Sequence, residues 1–465
     1  MKTKEIFLMK EIEGDTLTPI LVYQRMQGKK KFLLESSLKH EKSGRYSFIG
    51  ADPVMELIGN GEASTLLTDE GKEVLNEKPL EALKRLLPKN SQTQSELFPF
   101  FGGAVGYVGY DVIRQYEEIG TQPEDEINTP DVHLMFFEEL AIFDHLDQKV
   151  FLVASPIKSD ISVLEKRLLK RKEEIQNGLA PKAADEAVLS SFKAAVKKED
   201  FIERVKTAKE HIASGDIFQV VLSQRLEAEM HGDPFSFYRK LRVKNPSPYM
   251  YFLDFEDYQI VGASPESLIK VVDNKVVTNP IAGTRPRGKT DLEDSALEKD
   301  LLADEKEVAE HRMLLDLGRN DIGRVCEFGS ITIEKEMEIE KFKHVMHIVS
   351  EVSGKLNPSL SAIDALISTL PAGTVSGAPK IRAMEIINDL EDVKRGIYSG
   401  AVGYFSANGN MDFALAIRTM IIKDQKAYIQ AGAGIVHDSV PEKEYEETLH
   451  KLRAFLGDQN DIANR

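Results

Sequence analysis

Short apolar runs separated by turn residues recur along most of this chain, and their spacing excludes most ways of folding it. From about residue 19 to 155 they include Gly44–Gly50, Gly102–Tyr110 and Leu140–Val153. The last reads as a hairpin with Asp144 to Gln148 at its turn. Lys158 to Asn177 reads as a charged surface helix ending at Gly178, and Gly178–Ala187, rich in Ala, Pro and charge, is the linker candidate. From Lys197 onward, longer helices alternate with strands at Gln219–Ala228, Met250–Phe255, Lys275–Asn279, Gly400–Phe405, Asp412–Ile422 and Lys426–Gln430. Hairpin-like strand runs with interspersed helices predict an α+β fold, a large mixed, mainly antiparallel β-sheet sandwich flanked by helices, over a regular βαβ wind. Three regions are expected: 15–155, a helix and linker over 156–195, and 196–458.

The totals narrow the function. A chain of 465 residues with 42% hydrophobic content can bury a large core. No apolar run approaches the roughly 20 residues of a membrane helix, and Met1–Asp15 lacks a signal-peptide apolar region. One cysteine, Cys326, excludes an internal disulfide framework and fits a cytoplasmic protein. A net charge of −16 argues against nucleic acid as partner. It leaves room for an anionic substrate, because a cation and a few arginines can reverse the field inside a cleft.

Glu310 stands where an apolar residue belongs. Asp304–Leu317 reads as an amphipathic helix whose stripe, counted from Glu310, continues through Met313, Leu314 and Leu317, with Glu307 one turn earlier. A carboxylate on a core-facing stripe must be paired, protonated or bound to metal. A second helix, Pro441–Leu456, repeats the E-x-x-E spacing at Glu444 and Glu447. Those two lie with Lys451 away from the Tyr445, Leu449, Leu452 and Leu456 stripe, and alone they read as a solvated face. Two such pairs facing one another would be stable only around a cation. Carboxylates without histidine or thiolate partners suit Mg²⁺.

Other motifs carry two readings each. Gly283–Thr290 matches the phosphate-loop pattern GxxxxGK[ST], but Pro280 interrupts the approach and Pro286 removes a backbone N–H. The alternative is a basic turn into a helix with Thr290 and Glu293 as a capping box. Arg418 lies in the apparent strand Met411–Ile422, sharing a face with Ala414 and Ala416. It either grips a ligand carboxylate or is a partnered structural arginine. Gly432-Ala433-Gly434 reads as a turn that lets backbone approach a ligand. His344 and His347 lack the third ligand a zinc site needs, leaving His347 as a proton-transfer group or a core histidine. Pro371–Lys380 is a small-residue loop presenting N–H groups and the Thr374 hydroxyl.

Together, Asp216–Arg225, Gly262–Ser267, Pro280–Gly288, Glu307–Asp321, Lys343–Val352, Pro371–Lys380, Arg395–Phe405, Ile417–Ile422, Gln430–Val436 and Glu444–Lys451 resemble the chorismate-utilising enzymes, most closely anthranilate synthase component I. The resemblance implies a single intertwined chorismate-binding fold, regulatory over 15–155 and catalytic over 196–458. It implies Mg²⁺ at Glu310 and Glu447, with Glu307 and Glu444 supporting. Chorismate would be held by Gly283, Thr284, Tyr398, Arg418, Gly432, Ala433, Gly434 and Lys451. Glu266 would be the general acid, with His347 and Thr374 the other catalytic groups.

Within the family, water-using relatives carry a lysine where this chain has Gln219, and many aminodeoxychorismate synthases carry a lysine where it has Ala282. Both positions favour anthranilate formation, the first committed step of tryptophan biosynthesis, with aminodeoxychorismate synthase component I as the alternative. A P-loop NTPase and a non-catalytic tryptophan-sensing protein are the readings from other classes. Leu33–Ser36 and Asn245–Met250 resemble a tryptophan feedback pocket, with Glu35, Ser36, Pro248, Tyr249 and Met250 as matching residues and Glu35 taking the ammonium. The absence of tryptophan from the chain fits an enzyme needed when tryptophan is scarce. No stretch pairs a nucleophilic cysteine with a triad, so ammonia is expected from a separate glutamine amidotransferase subunit, in a heterotetramer of two plus two.

Overall fold

The computed structural model describes residues 7–36, 44–88, 97–179, 185–342, 345–456 and 462–463. Among these, the strands form one sheet of 14 and another of 12. The ladders are antiparallel except the short pairing of Phe192–Ala194 with Ile462–Ala463. Side-chain alternation explains why the sheets stack. In Tyr258–Ser264, Tyr258 and Ile260 face a core between the sheets, while Val261 and Ala263 face the helices covering the larger sheet. The inter-sheet core is aromatic, with Phe32 against Phe137 at 4.7 Å and Phe100 stacked on Tyr404 at 4.5 Å between ring centroids. Strands buried on both faces read as near-continuous apolar runs, as Gly103–Val108 and Val132–Phe137 do.

The helices Ile161–Asn177, Lys198–Ala213, Pro234–Lys244, Lys380–Leu390 and Pro441–Leu456 pack on the outside of the larger sheet. Pro79–Leu86, Glu305–Gly323 and Ala362–Thr369 pack on the outside of the smaller one. The N-terminal third is woven into both sheets: Phe32–Glu35 pairs with Tyr249–Asp254, and Gly103–Val108 with Ala401–Ser406. The expected hairpin is Glu139–Asp144 with Lys149–Ala154, and the charged helix ends at Gly178. Residues 180–184 of the expected linker lie outside the described residues.

Two segments cross from one sheet to the other side by side. Tyr258–Ser264 belongs to the larger sheet and Ser267–Val272 to the smaller, with Pro265 and Glu266 at the bend. The run expected as one strand over Met411–Ile422 does the same. It is two strands, Met411–Leu415 in the smaller sheet and Thr419–Lys423 in the larger. The break arises because Ile417 N–H turns back to Leu415 O at 2.9 Å and Arg418 takes a left-handed φ of +49°. Ala414, Ala416 and Arg418 therefore do not share one strand face. The bends are tied together: Leu415 N–H donates to Glu266 O and Ala263 N–H to Arg418 O, both at 3.0 Å.

Candidate active site

The paired bends bring Glu266 and Arg418 to one place. Thr374, on the 3₁₀ turn Gly373–Val375, donates its hydroxyl to Glu266 Oε1 at 2.9 Å. Burial pushes the Glu266 carboxyl up to about 7, against the lowering effects of that hydrogen bond and of the Arg418 and Lys451 charges. Arg418 is exposed, and no carboxylate lies within ion-pair distance of it among the described residues. Desolvation lowers its pKa and the nearby Glu266 charge opposes that.

His347 faces the same group of charges from the other side. It lies on Val345–Lys355, opposite Thr284 on Ile281–Pro286. Its Nδ1 is 2.8 Å from Gly283 O and 3.1 Å from Thr284 Oγ1. A carbonyl only accepts, so Nδ1 carries the proton and Nε2 keeps its lone pair. Desolvation, then the Arg418 charge, lowers the His347 pKa against the Gly283 hydrogen bond, favouring neutral imidazole. Gly283 sits at a register shift with φ +69°, where an added Cβ would come within 3.3 Å of Glu307 Oε2. The segment expected as a basic turn is thus a strand as far as Pro286. Thr290 caps the helix Asp291–Ala303 by accepting from Glu293 N–H at 3.2 Å. The Glu293 carboxylate takes the N–H of Lys289 rather than that of Thr290. His344 lies outside the described residues.

Gly432, Ala433 and Gly434 form no turn. The strand Lys426–Ile435 runs through them, pairing with Ser223, Leu222 and Val221 of Gln219–His231. Glycine leaves room there for neighbouring polar tips, which occupy the Cβ positions. An added Cβ would lie 2.9 Å from the Tyr398 hydroxyl at Gly432 and 2.6 Å from Gln219 Nε2 at Gly434. Tyr398 is buried, and desolvation raises its phenol to about 12. Gln219 Nε2 donates to Glu310 Oε1 at 3.2 Å. Lys451 donates to Gly432 O at 2.9 Å and pairs with Glu447 at 2.8 Å. One strand pair thereby reaches toward both acidic helices.

Glu310 is half-buried rather than enclosed. The buried side of Glu305–Gly323 carries His311, Leu314, Leu315 and Ile322, and Glu310 lies at its margin with Met313 and Leu317. The stripe counted from Glu310 is rotated from the true one by about one residue. On Pro441–Leu456, Tyr445, Leu449, Leu452 and Leu456 are buried and Glu447 keeps 48% of its side chain exposed, as the sequence pattern predicts.

Whether these groups fit a divalent cation turns on their chemistry. Burial and then the neighbouring Glu310 raise the Glu307 pKa; burial and the neighbouring Glu447 raise that of Glu444. A cation relieves such crowding. Gln219 Oε1, beside Glu310, is buried without a hydrogen-bond partner. Among the described residues no three acidic, histidine or cysteine side chains converge on one point. An all-oxygen, incomplete donor set fits a hard ion that keeps waters and borrows ligand oxygens.

The sequence profile described as chorismate binding enzyme matches residues 29–457. The chain belongs to the chorismate-binding enzyme family. It is 47% identical over 462 residues to anthranilate synthase component 1 of Lactococcus lactis, covering 96% of this chain and 98% of that protein. It is 48% identical over 462 residues to the same component of Acetivibrio thermocellus, covering 96% and 93%. The crystal structure of anthranilate synthase component I from Streptococcus pneumoniae superposes with a TM-score of 0.83 at 48% identity, over 98% of this chain and 100% of that one. The menaquinone-specific isochorismate synthase of Escherichia coli, at 18% identity, shares the fold, with a TM-score of 0.74 over 98% and 97% of the two chains.

In this family member a cavity of about 700 Å³ opens between the sheets. Glu35, Ser36, Pro248, Tyr249 and Met250 all line it, with Phe98, Tyr404, Lys270 and Asp412. The Glu35 carboxylate is already engaged: Arg242 donates to it at 2.8 and 3.0 Å and Tyr238 at 2.6 Å. Tyr249 OH donates to Asp412 at 3.0 Å, and Lys270 pairs with Asp412 at 3.3 Å.

Sequence reasoning overlooked two ion pairs bordering the site, the buried Arg395–Glu391 and the half-buried Lys380–Asp321. The spacing of four between Glu391 and Arg395 was the legible signal of the first. Cys326 follows the Glu305–Gly323 helix and forms an isolated antiparallel bridge with Leu356; it is buried, and burial pushes its thiol up to about 11.

Thr374→Val removes the hydroxyl that favours ionised Glu266. Its carboxyl midpoint, followed by ¹³C-glutamate NMR as the difference from Glu266→Gln, should move above the wild-type value of about 7. The rise should be about tenfold or more in proton affinity, the order of one hydrogen bond to a charged group. An unchanged midpoint would show that the hydrogen bond does not tune the acid.

Proposed function

We propose that this chain is an anthranilate synthase component I, converting chorismate and ammonia into anthranilate, pyruvate and water. The observation that carries the reading is Arg418, which pairs with no carboxylate among the described residues while its charge acts on both Glu266 and His347. A dicarboxylate substrate supplies the missing counter-charge. Its enolpyruvyl carboxylate is held by Arg418 and Tyr398 against the Gly432–Gly434 backbone, with Gly283 and Thr284 along the ring and Lys451 adding positive charge. Protonated Glu266 gives its proton to the C4 hydroxyl, which leaves as water while ammonia bonds to C2. His347 Nε2 then takes the C2 proton as the C3–oxygen bond breaks, releasing pyruvate and leaving an aromatic ring. Gln219 and Ala282, where relatives that use water or a covalent lysine differ, support ammonia as nucleophile.

Glu310 and Glu447 would hold Mg²⁺, with Glu307 and Glu444 supporting. When bound, the ion supplies charge neutralisation and a template for the ring carboxylate. The 15–155 region is read as regulatory, with L-tryptophan in the cavity at Glu35, Ser36, Pro248, Tyr249 and Met250. Ammonia comes from a separate glutamine amidotransferase subunit, in an assembly of two plus two.

The signs of the pKa shifts give the pH dependence. Glu266 must be protonated, so activity falls as pH rises through about 7. His347 must be neutral, so activity falls as pH drops through a value below 6.5. With free ammonia held constant, kcat/KM should be bell-shaped.

The chain incubated with chorismate, Mg²⁺ and an ammonium salt should yield anthranilate and pyruvate in equal amounts, and L-tryptophan should suppress the yield. An amino-chorismate accumulating without pyruvate would instead identify an aminodeoxychorismate synthase, and undiminished turnover with tryptophan would reject the regulatory pocket. Glu310→Gln should cost at least about a hundredfold in Mg²⁺-dependent turnover. Near-wild-type rates for that variant would remove Glu310 from the cation site.

A further inference from the structure

We propose that Arg395 is a positioning residue for Glu266, acting through the Val375 carbonyl and the Thr374 hydroxyl. Its side chain is 2% exposed and all five of its N–H donors are used. Nε and one terminal nitrogen grip Glu391 at 2.7 and 2.6 Å, and that nitrogen also donates to Val221 O at 2.7 Å. The other terminal nitrogen donates to Val375 O at 2.7 Å and Ser399 Oγ at 3.4 Å. These acceptors belong to three separate walls of the site. Val375 follows Thr374, Ser399 follows Tyr398, and Val221 pairs with Gly434 two residues beyond Gln219. The guanidinium also lies over the Tyr398 ring at 5.7 Å.

Buried ion pairs are weak sources of stability, because desolvation offsets most of their attraction. This pair's distinctive output is geometry. A planar fork with five donors can tie three segments at fixed distances, whereas a lysine offers three donors from one point. Glu391 extends the tie by accepting from Ser223 N–H and Oγ at 2.8 and 2.9 Å. The bond to Val375 O holds the Gly373–Val375 turn where Thr374 meets Glu266. Without it the turn can withdraw, and Glu266 loses a donor that favours its ionised form.

The catalytic consequence rests on Glu266 acting as the acid in the proposed reaction, but the positioning role can be read without turnover. In unliganded Arg395→Lys, the Glu266 midpoint by ¹³C NMR should rise about tenfold in proton affinity, as for Thr374→Val, and the double variant should rise no further. The alkaline limb of kcat/KM should move the same way, with kcat falling more than chorismate KM rises. A folded Arg395→Lys with the wild-type midpoint, or shifts that add in the double variant, would overturn the proposal. Should Arg395→Lys not fold, Glu391→Gln keeps the guanidinium but loosens its grip and should give a smaller upward shift; an unmoved midpoint there also overturns it. If the wild-type chain makes no anthranilate, the reaction assignment fails while the NMR titration still decides the positioning role.

Discussion

Two backbone hydrogen bonds, Leu415 N–H to Glu266 O and Ala263 N–H to Arg418 O, hold the feature from which the site is built. They lock together two bends where adjacent segments leave one sheet and enter the other. Backbone at such a corner cannot continue either ladder, so its groups must be satisfied locally. Ser264 does part of this by donating its hydroxyl to Leu415 O at 2.7 Å. The outcome is a carboxyl and a guanidinium displayed from short bends that are pinned between strands.

The electrostatics follow from that placement. A chain of net charge −16 has no surplus of cations, yet Arg418 stands without an ion-pair partner among the described residues. Its field adds to the burial that favours neutral His347 and limits how far burial can raise Glu266. Burial drives the two groups in opposite senses, raising Glu266 and lowering His347, while the Arg418 charge lowers both. Glu307 and Glu444, raised by burial and by neighbouring carboxylates, mark the two acidic helices as short of positive charge.

Much of this was legible in the sequence, for identifiable reasons. The sandwich followed from strand periodicity, and the two acidic helices from E-x-x-E spacing on amphipathic patterns. The failures occurred where tertiary contacts override local pattern. Asp412–Ile422 alternates like one strand, and nothing local announces that Arg418 adopts a left-handed φ and splits it between sheets. Gly432-Ala433-Gly434 looks like a turn because glycine usually serves φ, yet these glycines sit in a strand to make room for Tyr398 and Gln219. Glu310 seemed more deeply buried than it is because the helix phase was counted from it instead of from His311, a buried polar residue that the apolar pattern passes over. Glu35 lines the expected cavity, but its engagement by Arg242 and Tyr238 depends on a helix about 200 residues away in sequence.

The account's central claim is that the paired bends present Glu266 and Arg418 to a single anionic substrate. The most direct measurement is a crystal structure of Glu266→Gln with chorismate and Mg²⁺. The account predicts the enolpyruvyl carboxylate on the Arg418 guanidinium and the C4 hydroxyl within hydrogen-bonding reach of the residue 266 side chain. Chorismate seated away from Arg418, with its C4 hydroxyl remote from residue 266, would contradict it.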